Sequence, residues 1–263
     1  MMTYSLNTMY FFNELPLQRQ FEEIRKAGFE AIEFLFPYQV PLADLKAALS
    51  DSGLALSLID VLPGDVARRE ISAAIDPRRS GEFRRNAELA LRYASELGVK
   101  NINCLSGMSS AVPDIPVGEQ TKTYEENIAW LCDQAAGTDV TILVEPISPL
   151  TIPTYLLSDL HETVRFIQSM NRSNLALQFD VFHVQVTLGN LMNNIEKYYD
   201  MIKYFQFANA PGRNEPDSGE IDYRFIARHL RKKGWQGYIG LEYVPTRAMD
   251  STFSWIADWK DDV

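Results

Sequence analysis

The chain has 263 residues, 46% of them apolar and 23% charged, with a net charge of −10. That composition supports a sizeable core, and the acidic balance offers a phosphate backbone little attraction, which counts against nucleic acid as the main partner. Cys104 and Cys132 are too few for a disulfide framework, the start "MMTYSLNTMYFF" lacks the basic segment and long apolar run of a signal peptide, and no apolar stretch reaches membrane-spanning length, so the sequence predicts a cytoplasmic protein without membrane association.

From the N-terminus, β-type runs alternate with amphipathic helical patterns. "TYSLNTMY" precedes a helix over Leu17–Ala27 capped by Gly28, "EAIEFLF" a helix over Leu42–Asp51 before Gly53, and "LALSLID" a helix over Gly81–Leu97 before Gly98. "KNINCL", "VTILVEP" and "NLALQFD" are followed by helical patterns at Gly118–Ala136, Ser158–Met170 and Leu188–Asp200. "IKYFQFA" leads to Tyr223–Lys233, closed by Gly234, and "GYIGLEY" to a last helix after Asp250. Eight strands alternating with eight helices predict an α/β protein, a single (β/α)8 TIM barrel over residues 1–263. The strands are nearly continuous in apolar residues, as expected when both faces are covered. The alternative is an open doubly wound sheet, but the first βα turn, "TMYFFNELP", has no GxGxxG to support dinucleotide binding.

In such a barrel the C-terminal strand ends converge on one mouth, where chemistry sits. Strand 5 ends in Glu145, strand 6 in Asp180, strand 7 carries Gln206 and Asn209, and strand 8 ends in Glu242. Taken singly, each acid reads as well as a solvated loop residue or a helix-cap neighbour. Together, three carboxylates in a low-dielectric mouth require a cation, and hard oxygen donors suit Mg2+ or Mn2+ held by Glu145, Asp180, Gln206 and Glu242. Glu145 and Glu242 on opposite walls form a candidate acid–base pair, moving a proton between neighbouring carbons of a small carbonyl substrate through an enediol. His183 and Arg213 are candidates to hold substrate oxygens, Arg213 with the fork geometry a carboxylate accepts. Asn7 and Glu33 are candidates to reach the mouth from strands 1 and 2, with a strand-end cap and a partly solvated acid as the alternatives.

"AGFEAIEFLFPY", "VEPISP", "QFDVFHVQ", "PGRNEPDSGEIDY" and "GYIGLEYVP", in this order and spacing, resemble the hydroxypyruvate isomerase family of xylose-isomerase-like TIM barrels over nearly the whole chain. The resemblance implies a metal site at Glu145, Asp180, Gln206 and Glu242, the two glutamates as acid and base, and His183 beside the substrate. It also implies isomerisation of a small hydroxy-oxo acid, of the hydroxypyruvate to tartronate semialdehyde type. Three positions depart from the pattern: Asn209 where Asp is usual, Ile71 where an arginine is frequent, and Ser148 where Asn is usual. The last two are more similar to 2-oxo-tetronate isomerases, which act on a four-carbon acid.

Competing readings are a ketose 3-epimerase, whose relatives carry His where Gln206 stands, a DNA-repair endonuclease, disfavoured by three histidines and the net charge of −10, and a non-catalytic sugar-binding barrel. The "PGRNEPDSGEIDY" loop is a candidate lid bringing Arg213, Glu215 and Glu220 to the substrate, and Phe34, Phe36 and Tyr38 are candidates to shield the mouth. Cys104 reads as a small buried residue, His161 and His229 as surface or packing residues. "WIADW", Trp255 to Trp259, suggests an exposed aromatic surface for a homo-oligomer contact.

Overall fold

The computed structural model describes residues 2–68 and 70–259. Eight parallel strands close a barrel in sequence order: β1 (Thr3–Asn7), β2 (Ala31–Glu33), β3 (Ala55–Asp60), β4 (Asn101–Asn103), β5 (Thr141–Val144), β6 (Leu175–Asp180), β7 (Ile202–Phe207) and β8 (Tyr238–Leu241). Helices α1 (Leu17–Lys26), α2 (Leu42–Ser52), α3 (Ser80–Leu97), α4 (Val117–Gln134) and α5 (Leu160–Met170) follow β1 to β5. Two helices, α6 (Val181–Thr187) and α7 (Leu191–Tyr198), lie between β6 and β7, and α8 (Tyr223–Lys232) and α9 (Ser254–Asp258) follow β7 and β8.

Local chemistry accounts for most boundaries. Gly53 and Gly98 end α2 and α3 in left-handed conformations, φ 67° and 73°, which glycine adopts without steric cost. Asp159 and Asp222 cap α5 and α8 by accepting from the amides of Glu162 and Phe225 at 2.8 and 2.9 Å. Leu177, Phe179, Phe205 and Phe207 are fully buried in the core that joins barrel and helices. Each contributes roughly 1.5–3 kcal/mol of burial, which lets the fold carry a costly polar mouth.

Inside the barrel, Ser5 Oγ meets Ser57 Oγ at 2.6 Å, and Ser57 Oγ meets the Tyr204 hydroxyl at 2.8 Å. Strand side chains repeat with period two, so these residues floor the layer above, where Asn7 and Gln206 stand two positions further along β1 and β7.

One element is added and one expectation is corrected. The segment after Asp180, to which the sequence reading assigned no element before Leu188, forms α6, because Asp180 caps it and Val181, Phe182 and Val184 bury against the core. The "WIADW" aromatics are not exposed: Trp255 and Trp259 are 0% and 7% exposed, and Trp255 packs edge-on against Tyr4 at 5.5 Å. Tucking these rings into the core removes the aromatic contact surface that suggested an oligomer.

Candidate active site

The C-terminal strand ends surround a cavity of about 530 Å³. Glu145, just past β5, accepts through Oε2 from Gln178 at 2.9 Å and from Asn103 at 3.2 Å. The same Gln178 amide nitrogen donates to Gln206 Oε1 at 2.7 Å, and Gln206 Nε2 donates to Glu242 Oε2 at 2.7 Å. With the two glutamates ionised, each carboxylate only accepts, and these contacts match that direction of both amides. Glu145 and Glu242 are thereby tied together by two glutamines along β6 and β7.

Asp180 divides its oxygens. Oδ1 accepts from the amides of Phe182 and His183 at 2.8 and 3.4 Å, as the cap of α6, while Oδ2 lies 3.3 Å from an Arg213 nitrogen. Arg213 adopts a left-handed φ of 56° in the loop after β7. From there its guanidinium reaches Glu242 Oε1 at 3.1 Å and the Glu242 carbonyl at 3.3 Å, and it lies over the Phe182 ring at 5.4 Å. His183 Nε2 is 3.5 Å from Asp180 Oδ2 and 3.9 Å from Glu145 Oε1.

Glu33, Asp60, Glu145, Asp180 and Glu242 are all buried around this mouth. Burial and the charges of Asp180 and Glu242 hold Glu145 well above the usual carboxylate range. Burial raises Glu242 to about 7 even though Arg213 opposes the shift, and burial with Glu242 raises Glu33 to about 8. Burial likewise raises Asp180 against the pull of Arg213, and raises Asp60 with help from Glu242 and Glu33. Burial and Arg213 push His183 well below its ordinary value, so its imidazole is neutral near pH 7. More acid converges here than Arg213 can compensate. Glu145, Asp180 and His183 offer ligand atoms all within 4.8 Å of one another. Oxygen donors with one neutral imidazole are a donor set that fits a hard divalent cation.

Of the residues expected at the mouth, Glu145, Asp180, Gln206, Glu242, His183 and Arg213 come together. Asn7 stands behind Glu33 rather than in the cavity wall. Its Nδ2 donates to Glu33 Oε2 at 2.9 Å and its Oδ1 accepts from the Met9 amide at 3.0 Å, so one end holds Glu33 and the other the turn after β1. The lid expectation also changes. Glu215 is fully buried, accepting from the Thr246 and Arg247 amides at 2.9 and 3.1 Å and the Thr252 hydroxyl at 2.9 Å, and Glu220 pairs with Gln185 at the surface. Phe36 lines the cavity, whereas Phe34 packs against the core and Tyr38 donates to the Asp60 carbonyl.

Asn209 knots the same loop. Its Nδ2 donates to the Pro216 and Ile221 carbonyls at 2.8 and 3.1 Å, and its Oδ1 accepts from the Ala210 and Ile221 amides, both at 2.9 Å. An ionised Asp could not donate, which gives the Asn a physical reason. Ile71 lines the cavity and Ser148 Oγ accepts from the Leu150 amide at 3.2 Å.

Sequence reasoning assigned no role to Gln178, Asn103 and Gly240. Gln178 carried a usable signal, standing two residues before Asp180 and so on the same inward face of β6. Glycine within β8 signalled a close approach: a Cβ on Gly240 would lie 1.8 Å from Glu33 Oε1.

A closed barrel with a cluster of buried carboxyl groups at its strand ends is the architecture of an α/β-barrel enzyme, and residues 21–260 match the family model described as xylose isomerase-like TIM barrel. The chain is 35% identical to the 2-oxo-tetronate isomerase of Haemophilus influenzae, over 98% of this chain and 99% of that one. It is 31% identical to the hydroxypyruvate isomerase of Escherichia coli, over 99% and 100%. A crystal structure from Brucella melitensis, described as AP endonuclease, family 2, superposes with a TM-score of 0.93 at 32% identity, over 98% of this chain and 99% of that one. The chain belongs to the xylose isomerase-like TIM barrel family, among the hydroxypyruvate and 2-oxo-tetronate isomerases, and is an isomerase. Among the described residues no helix is long and apolar enough to cross a membrane.

Proposed function

We propose that the protein interconverts a small 2-oxo hydroxy acid and its isomer through an enediol, as in hydroxypyruvate to tartronate semialdehyde, with 2-oxo-tetronate as the alternative substrate. The observation that carries this reading is that Glu145 and Glu242 enter one buried cavity, joined through Gln178 and Gln206. One glutamate takes the proton from the hydroxyl-bearing carbon and the other delivers a proton to the former carbonyl carbon, while the hydroxyl hydrogen passes between the two oxygens. A carboxyl raised to about 7 is poised for such transfer near neutral pH. Arg213 and neutral His183 orient the substrate's oxygens, and Asp180 fixes Arg213.

Glu145, Asp180, Gln206 and Glu242 would hold a Mg2+ or Mn2+ ion, with His183 adjacent. Such an ion would supply Lewis-acid polarisation of the carbonyl and charge balance for the enediolate. Buried free thiols at Cys104 and Cys132 support a reducing cytoplasmic setting, with residues 1–263 acting as one domain. The net charge of −10, and His183 as the cavity's imidazole among the described residues, support a small-molecule substrate over a nucleic acid.

The test is proton NMR in heavy water with added Mg2+ or Mn2+, on hydroxypyruvate, 2-oxo-tetronate and common ketoses. Deuterium should enter the carbon next to the carbonyl of an oxo acid. Glu145→Gln and Glu242→Gln, folded, should each lower kcat by about 10²- to 10⁴-fold. Near-normal turnover in either variant would sink the two-glutamate mechanism.

A further inference from the structure

Three oxygens of cavity-lining residues receive no hydrogen bond from the protein: Asp60 Oδ1, Asn103 Oδ1 and Gln178 Oε1. The residues are 2%, 2% and 1% exposed. The amide orientations are not arbitrary. Asn103 and Gln178 both turn nitrogen toward Glu145, at 3.2 and 2.9 Å, which directs their oxygens elsewhere. Asp60 and Asn103 are Cα partners in the β3–β4 register, so they stand side by side. This wall lies across the barrel from β7 and β8, whose ends supply Arg213 and Glu242. A buried acceptor left without a partner is costly, and its persistence calls for a functional explanation.

Such a wall asks for hydrogen donors. Arg213 and the acid–base pair engage the carboxylate and the two reacting carbons. A three-carbon hydroxy-oxo acid then has no further hydroxyl to offer, whereas a four-carbon acid has one. The cavity of about 530 Å³ leaves room for it, since pockets of roughly 300–1,000 Å³ house far larger ligands.

We infer that Asp60, with Asn103 beside it, is a specificity-determining residue that accepts the hydroxyl hydrogen on the carbon beyond the reacting pair. The preferred substrate is then a 2-oxo acid of at least four carbons carrying a hydroxyl there. The inference rests on the isomerase reading above.

The test compares kcat/KM for 2-oxo-tetronate with that for its analogue lacking only the terminal hydroxyl. The protein should favour the hydroxylated acid by about tenfold or more, because a site built to pair a hydroxyl rejects the analogue without it. Asp60→Ala and the near-isosteric Asp60→Val should bring the ratio to within about threefold of unity. A ratio near unity in the unsubstituted protein, or a ratio unchanged in both variants, overturns the inference. So does failure of the Val variant to fold, which would make the carboxyl a structural group. If the unsubstituted protein turns over no oxo acid at all, the isomerase reading itself fails, an outcome distinct from loss of selectivity.

Discussion

Gly240 has no side chain, and the Glu33 carboxyl uses the space, with Gln206 Cγ 2.9 Å from where a Cβ would stand. Gly240→Ala should therefore push Glu33 or Gln206 aside, costing about 1–3 kcal/mol in urea unfolding. Activity should fall as well, since Gln206 also holds Glu242. Glu215 makes the opposite kind of prediction, one of pH. Burial alone would raise its carboxyl, but hydrogen bonds from its own backbone amide, Thr246 and Thr252 outweigh burial and leave it below the ordinary range. A lowered folded pKa means that its stabilisation is present above the unfolded value of about 4.3 and is lost as pH falls through the folded one. Glu215→Gln should cost about 1.5–3 kcal/mol at pH 7. The gap between the two proteins, read from thermal scans at pH 7, 5 and 3, should narrow on acidification. A constant gap would show that the charge plays no part.

At the scale of elements, α6 joins fold to function, because Asp180 caps it with one oxygen and faces Arg213 with the other. Asp180→Asn keeps an oxygen to cap the helix but removes the charge. It should hold stability within about 0.5 kcal/mol, as a cap of equal rank, while activity falls at least tenfold. Asp180→Ala should lose both, with about 0.5–2 kcal/mol from the missing cap. Equal activity in the two variants would confine Asp180 to the helix. The loop after β7 depends on Asn209 in the same way. Asn209→Asp sets an oxygen against the Pro216 and Ile221 carbonyls and should cost about 1–3 kcal/mol. The helix α6 was not legible in the sequence because "VFHVQVT" is rich in β-branched and aromatic residues, which by themselves favour extended backbone. Its cap and the core beneath it outweigh that preference.

For the whole molecule, the concentration of acid at one end of the barrel sets a stability cost that a divalent ion should offset. Mg2+ or Mn2+ at 100 times its Kd should add about 2.7 kcal/mol, a Tm rise of several degrees that EDTA reverses and Asp180→Asn weakens. No shift with either ion would remove metal from the proposed chemistry. The barrel itself was legible in the chain. Eight alternations of strand and helix determine the architecture, and the parallel barrel opens the C-terminal end of every strand on one mouth, which is how Glu145, Asp180, Gln206 and Glu242, at or next to those ends, could be read together. What the sequence left open depends on barrel closure. Gln206 meets Glu33 across 173 positions, Glu215 meets Thr252 across 37, and Trp255 turns inward onto Tyr4. No local pattern encodes which way an amide faces or which carboxylate an arginine reaches. Those choices are made by atoms that only the closed barrel brings within hydrogen-bonding distance, and the tertiary structure alone decided them.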